Sequence, residues 1–433
     1  MGKFYRVVFL CLLCTSCSAV VWAEDVKPEK FCGISVDEHD SAYYAVQAEA
    51  WQREIEQNPQ NEVAWKYRFM ALKYKSKWAE DNTDSLALRK LEADMEKAIP
   101  NTYSYNYIKY RLVDYDSTEA NRSRYAQEML KRFPKHPDFF DYDNLLAWSE
   151  LNGDDDARLT KLAKAYVESG IYDRAILKYA ENELNGLNEN AILFMGDADL
   201  SIIPCLLVQR GLGKRQDICL IYTNYFFFYP NYRDKIYKQL GISSSVKLEK
   251  EPTNYEEAKD WAFKLVNELL EKTQRTVYLD PYNMPNYVSD EWVERDMLYP
   301  VALANIVCDP LEFNNMSASY QTIMERYDLD YLFGEIPGAN WYARDYVGRK
   351  YLDRLSFPYR YYKSNESSGQ DGFFEKLTDV FNAIISGLHL DAYEIEMFRV
   401  DFFSEFQDDA DIEYDEDVEE VDIPEDETVT IEE

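Results

Sequence analysis

The chain has 433 residues, 46% of them apolar and 15% aromatic, which is enough to bury a large core and excludes a disordered chain. Against 47 Lys and Arg stand 80 Asp and Glu, a formal charge of −33, and seventeen of those acids fall between Asp401 and the end with no base among them. Phosphate backbones and anionic lipid surfaces need a basic face, so nucleic acid is excluded as a partner.

In chain order, the first residues predict an export signal. Lys3 and Arg6 form its charged region, residues 7–14 its apolar stretch, and Val21-Trp22-Ala23 a small-residue cleavage site ahead of Glu24. An alternative expectation is a lipid anchor on Cys17, since Leu13-Cys14-Thr15-Ser16-Cys17 resembles a bacterial lipobox. Both readings place the protein in the periplasm or envelope of a Gram-negative bacterium, with secretion or lipoprotein anchoring as variants. No later stretch approaches the ~20 apolar residues of a spanning helix, so no transmembrane span is expected. Outside the signal stand Cys32, Cys205, Cys219 and Cys308, none of them in a CxxC spacing. They read as buried thiols, with a Cys32 to Cys308 or Cys205 to Cys219 bridge as the open alternative.

From Ser41 onward the spacing is helical. "SAYYAVQAEAWQREIEQ" aligns Tyr44, Ala48, Trp51 and Ile55 on one face. Prolines 59, 100 and 134 each precede an aromatic-rich helix, at intervals close to those of stacked helical hairpins. "ESGIYDRAILKYAEN", residues 168–182, carries a Gly-x-Tyr-x-x-Ala turn. Together these resemble tetratricopeptide-type repeats, and an unrelated helical bundle is the alternative.

Near Asn190 the period changes. Ala191 to Met195 is a short apolar run ending at Gly196, residues 200–210 are apolar on nearly every side, and residues 217–223 form a second β-rich run. Strand, crossover helix and strand predict a parallel pair. "NYEEAKDWAFKLVNELLEKTQ" aligns Trp261, Leu265 and Leu269 on a helix, and "RTVYLDPY" is a third strand that ends at Asp280. The segments "DEWVERDMLYPVALANIV", "ASYQTIMERYDLDYLF", "ARDYVGRKYLDRL" and "GFFEKLTDVFNAIISGLHLDAYEIEMFRVDFFSEF" all carry helical spacing.

The expected fold class is α+α/β: an N-terminal tetratricopeptide-like α-helical array, a small parallel-sheet α/β domain and C-terminal helices. The expected divisions are a signal peptide at 1–23, a linker at 24–40, the array at 41–187, the α/β domain at 188–285, a helical region at 286–406 packed on it, and a disordered acidic tail at 407–433.

Ligands of parallel sheets bind beyond the carboxyl ends of the strands. Gly196, Asp197, Asp199 and Asp280 sit at such ends and form the candidate ligand-binding set. Either aspartate after Gly196 would serve as a helix cap; together they would suit a divalent cation through hard oxygen ligands. No catalytic set is recognisable. His39, His136 and His389 are far apart, and neither a GxSxG nor a Walker loop is present. Arg215 and Asp217 read as a surface pair, and the aromatic run 225–232 as a packed loop that also suits stacking on a glycan.

Asn190-Ala191-Ile192-Leu193-Phe194, Gly196-Asp197, Asp199, Pro204, Gln209 and Gly213-x-Arg215-x-Asp217, with later blocks at "RTVYLD" and "MLYPVALAN", resemble the soluble C-terminal region of bacterial membrane proteins related to protein O-mannosyltransferases. The resemblance implies an α/β fold and an envelope address. It implies no transferase activity, because the membrane-embedded part of those proteins has no counterpart here. The expected function is that of a non-catalytic scaffold or protein-interaction module of the envelope, with a protein partner first and a glycan second. The alternative is a sugar-, nucleotide- or metal-binding module, or an enzyme, centred on Asp197 and Asp199.

Overall fold

The computed structural model describes residues 26–34, 39–77, 84–112, 119–151, 156–196, 199–243, 254–282, 292, 297–301, 303–309, 311, 325–332, 341–364, 371–388 and 390–403. The export signal with Cys17, Asp197, His389 and the acidic tail lie outside these residues.

Helix α1 (Ser41–Gln57) starts where the Asp40 carboxylate accepts from the Tyr43 N–H at 2.8 Å, which satisfies one of the orphan donors of the first turn. Its predicted stripe of Tyr44, Ala48, Trp51 and Ile55 is buried. The three prolines stand ahead of α2 (Glu62–Lys77), α4 (Tyr103–Leu112) and α6 (Phe139–Leu151), and α3 (Asp84–Ala98), α5 (Glu119–Lys131) and α7 (Asp156–Ser169) return between them. Helix α8 (Arg174–Gly186), capped by Asp173, closes the helical region.

A buried ion cluster ties α2 to α6. Lys66 Nζ lies 2.7 Å from an Asp138 oxygen and 2.6 Å from an Asp141 oxygen, and the Tyr67 hydroxyl donates to Asp138 at 2.9 Å. The two aspartates also cap α6 reciprocally: the Asp138 N–H donates to the Asp141 carboxylate and the Asp141 N–H to that of Asp138. Burial pushes the Asp141 carboxyl up, and the adjacent Lys66 ammonium opposes that shift.

Beyond α8 the chain builds a five-stranded mixed sheet of order β2-β1-β3-β5-β4. Strand β1 (Ile192–Met195) pairs in parallel with β2 (Cys219–Tyr222) on one side and with β3 (Val277–Leu279) on the other. All three strands are fully buried, β2 included although it stands at the edge of the sheet, as expected for parallel strands covered on both faces, which read as continuous apolar runs. Between β1 and β2 the chain forms the short helix α9 (Ile202–Leu206), which widens into a π turn at Leu207–Gly211. Gly211 lets this turn meet α7: a Cβ there would stand 2.8 Å from the Val167 side chain and 3.1 Å from the Ala163 carbonyl oxygen. Helices α10 (Thr223–Phe228), α11 (Pro230–Leu240) and α12 (Tyr255–Lys272) lead to β3, and Trp261, Leu265 and Leu269 of α12 are buried.

The sheet corrects two expectations. It is mixed, not parallel, because β4 (Leu298–Val301) and β5 (Ala304–Val307) form an antiparallel hairpin that adds to β3. That hairpin lies in a segment expected to be helical. Its β-branched and aromatic residues favour a strand, and Pro300 falls on edge strand β4, where a missing donor costs least. Of the expected helix at 318–333, residues 318–324 and 333 lie outside the described residues, 325–326 form a turn and Asp330–Leu332 a short 3-10 turn.

Helices α13 (Trp341–Ser364), α14 (Asp371–Gly387) and α15 (Ala392–Phe403) complete the chain's described part. Asn182 fastens α13 to α8. Its amide donates to the Asp328 carbonyl and the Tyr351 hydroxyl, both at 2.8 Å, and its oxygen accepts from the Asp328 N–H at 2.9 Å. Among the described residues no helix is long and apolar enough to cross a membrane.

Replacing Lys66 with methionine would leave two carboxylates facing each other in the array. Breaking one side of a buried pair costs about 3–5 kcal/mol, so urea unfolding of Lys66→Met should show a loss of that order. Adding Asp138→Asn and Asp141→Asn should recover part of it. Equal stability of Lys66→Met and the native chain would show that the cluster is not buried as described.

Candidate functional site

The connection from β1 leads to β2 on one side of it, and the next connection returns across β1 to β3 on the other. With right-handed crossovers the two connections cover opposite faces, and the carboxyl ends of β1 and β3 are where a sheet of this order holds a ligand. Gly196 follows β1 and is buried. Asp280 follows β3, and its N–H donates to the Phe194 carbonyl at 2.8 Å, so it continues the ladder one step past the strand.

The Asp280 carboxylate fixes the start of α9. It accepts a short hydrogen bond from the Ser201 hydroxyl, and its other oxygen accepts from the Tyr282 N–H at 2.9 Å. Around it gather side chains from elements remote in sequence. Helix α8 supplies Glu183 and Tyr179, α9 supplies Cys205, and α13 supplies Tyr346, Lys350, Asp353 and Arg354. Four of these groups are charged side chains buried almost completely: Asp280 is 2% exposed, Glu183 3%, Arg354 4% and Lys350 5%.

Their charges are unevenly met. Arg354 donates to the Ala304 carbonyl at 3.1 Å and to the Asn305 side chain at 2.7 Å. Lys350 Nζ sits over three rings, 4.1 Å from the centroid of Tyr282, 4.6 Å from Tyr346 and 5.1 Å from Tyr179. The Tyr282 hydroxyl is held by Asp353 at 2.6 Å. One oxygen of Glu183 accepts from the Cys205 thiol at 3.8 Å, and the other has no hydrogen-bond partner among the described residues.

Burial pushes both carboxyls up, and the Lys350 ammonium opposes the shift at each. Asp280 has the Ser201 hydroxyl and the Tyr282 N–H to stabilise its charge, whereas Glu183 has one weak thiol donor and the Asp280 charge against it. Glu183 therefore holds its proton well above the usual carboxylate range. Burial drives Lys350 down, against the pull of Asp280 and Glu183. Burial and the two acids push the Cys205 thiol up, the opposite of what a nucleophilic cysteine requires.

Asp199 belongs to a different neighbourhood. It is half-buried and lies close enough to Asp143, Tyr166 and Tyr172 of the helical array to influence their ionisation. Of the four candidate residues, Gly196 and Asp280 stand at the neighbouring ends of β1 and β3, Asp199 lies near the helical region, and Asp197 lies outside the described residues. Among the described residues no group of three or more His, Cys, Asp or Glu side chains is disposed to hold a metal ion. Among the described residues Cys32, Cys205, Cys219 and Cys308 are not joined in disulfides, and the last three are buried.

Arg215 and Asp217 do form their pair, at 3.0 Å, yet Arg215 also donates to the carbonyls of Leu184, Leu187 and Asn188, closing the end of α8. The aromatic run 225–232 is packed: Tyr225 stacks on Tyr222 at 4.9 Å, and the Tyr232 hydroxyl accepts from the Tyr222 N–H.

Glu183, Lys350 and Arg354 escaped the reading of the sequence, and Cys205 was read there as a buried thiol, without a place in the site. Their signal was a charge on an apolar stripe: Ile176, Tyr179, Glu183 and Leu187 share one face of α8 and its end, as Ala343, Val347, Lys350 and Arg354 share one face of α13.

No protein-family model matches this chain, and no curated protein matches it either.

Burial, reinforced by the Asp199 charge and opposed by Arg111, pushes Asp143 up to about 7. The folded chain thus binds this proton more tightly than the unfolded chain, whose aspartates titrate near 3.9. The stability this contributes is complete below about pH 4, falls between about pH 4 and 7, and is gone above that. Asp143→Asn should remove this component, so the stability of the variant relative to the native chain should rise by a few kcal/mol, at about 1.4 kcal/mol per pH unit, between pH 5 and pH 8. Urea midpoints at the two pH values measure it, and a constant difference would refute the assignment.

Proposed function

We propose that this protein is an exported component of the bacterial envelope that binds a sugar-type ligand at the carboxyl ends of β1 and β3 and holds it without converting it. One observation carries the reading: the unpartnered Glu183 oxygen, buried beside Asp280 and the ring-caged Lys350. An unmatched acid in a dry interior weakens the fold, and such a group is retained where a ligand completes it. Protonated Glu183 offers a donor, the Asp280 carboxylate an acceptor and Lys350 a further donor, while the rings of Tyr179, Tyr282 and Tyr346 suit the C–H faces of a sugar. The raised Cys205 thiol favours binding over catalysis.

The envelope address rests on the export signal in residues 1–23, and the resemblance to the soluble region of O-mannosyltransferase-related proteins agrees with it. The helices of residues 41–187 are read as a tetratricopeptide-type array. A protein partner is a second reading, favoured by the exposed stripe of Tyr393, Met397 and Val400 on α15, which are 73%, 46% and 57% exposed at four- and three-residue steps.

Thermal unfolding against hexoses, hexuronates and hexose phosphates tests the site. At about 100 times its Kd, a ligand stabilises the native chain by about 2.7 kcal/mol, seen as a rise in Tm. Glu183→Gln should abolish that rise and leave the unliganded Tm equal or higher. No rise with any sugar, together with a loss of about 2 kcal/mol or more in Glu183→Leu, would make the cluster structural and end the proposal.

A further inference from the structure

Residues 26–34 have no regular secondary structure and lie across the helical array as an extended strap. The array holds the strap mainly by its main chain. The Glu29 N–H donates to the buried Gln47 side chain at 2.8 Å, and Trp51 Nε1 donates to the Glu29 carbonyl at 3.1 Å. Arg53 donates to the Val26 carbonyl at 3.0 Å and the Tyr74 hydroxyl to the Gly33 carbonyl at 3.2 Å. These contacts read a backbone, and one side-chain contact joins them: the Glu29 carboxylate accepts from the Tyr43 hydroxyl at 3.4 Å.

Three positions are selective, Phe31, Gly33 and Ile34, the last of them 2% exposed. The Phe31 ring stands edge-on to five others, those of Tyr44 at 5.3 Å, Tyr67 at 5.4 Å, Phe140 at 5.9 Å, Tyr74 at 6.0 Å and Tyr43 at 6.4 Å. At Gly33 an added Cβ would stand 2.6 Å from the Tyr74 hydroxyl and 2.7 Å from the Phe139 ring, and closer still to Phe140, so only glycine passes. Lys27, Glu29 and Lys30 are exposed. The surface therefore takes a segment of the pattern Phe-x-Gly-Ile, with free choice at the positions of Lys27 and Lys30.

We propose that this face of α1, α2 and α6 is a binding groove for an extended Phe-x-Gly-Ile segment of a partner protein, with the chain's own strap as its resident occupant. Only residues 35–38 separate the strap from His39, so the strap acts at a high effective concentration. An incoming peptide binds weakly while the strap is seated and tightly once its anchor is removed.

The test is anisotropy of a fluorescent peptide with the sequence of residues 26–34, carrying the Cys32→Ser change, titrated with the full-length native chain and with full-length Phe31→Ala. The variant should bind about tenfold more tightly or better, and peptides carrying the Phe31→Ala or Gly33→Ala change should not bind. A folded Phe31→Ala chain with no gain in affinity overturns the proposal. Should that variant fail to fold, the native chain answers through Cys32, half-buried where the other three cysteines among the described residues are buried, with its alkylation followed by peptide mass mapping. Millimolar peptide should speed Cys32 alkylation, and an unchanged rate overturns the proposal. A native dimer that forms by exchanging straps would assign the groove to a second copy and likewise overturn it.

Discussion

Asp280 ends β3 where no water meets its charge, and a carboxylate in that position must be answered by protein groups. The answer comes from three directions: the Ser201 hydroxyl ahead of α9, the Tyr282 N–H just beyond the strand, and the Lys350 ammonium from α13. That demand fixes where α9 starts and draws α13 against the sheet. Once Lys350 is buried, its own desolvation has to be offset, and the tyrosine rings beside it do so at close range. Glu183 is the residue the arrangement leaves over. It lies on α8, which belongs both to the helical array and, through Asn182, to the packing of α13. The array and the sheet thus share one helix and one buried polar network, and their stabilities cannot be separated.

Much of this architecture was legible because it rests on period. The α1 stripe of Tyr44, Ala48, Trp51 and Ile55, the prolines ahead of α2, α4 and α6, and the apolar runs of β1, β2 and β3 all announce their elements locally. The β4–β5 hairpin did not, because Pro300 and Asn305 break its apolar runs and the charged residues ahead of β4 mimic a helix start. The site was legible by half. Strand ends pointed to Gly196 and Asp280, but spacing along a chain gives no direction to a side chain, and Asp199 lies near the helical region instead of joining Asp280. Glu183 and Lys350 are 97 and 70 residues from Asp280 in sequence, and only the fold brings them together.

Aromatic rings do much of the packing. Tyr142 stacks on Tyr166 at 4.6 Å, and Tyr166 meets Tyr172 edge-on at 5.5 Å. Edge and offset contacts of this kind add to the area term, so a tyrosine-rich interior is a stable substitute for aliphatic packing. Its cost is the hydroxyl: those of Tyr166 and Tyr172 have no hydrogen-bond partner among the described residues. The neighbouring Asp143 and Asp199 raise both phenols further, as does the Cys32 thiol of the strap.

That last contact brings the strap to the same phenols as Asp199. Phe31 packs on Phe140 of α6, Cys32 reaches the surroundings of Tyr166 and Tyr172, and Asp199 reaches the same two rings from the segment that follows β1. Strap and Asp199 therefore act on the same two phenols, away from the Asp280 cluster. A partner that lifts the strap removes a buried ring and a thiol from their surroundings. Asp143 acts on both rings as well, with a proton that leaves near neutrality, so the field at these phenols follows pH in the window where the Asp143 charge appears.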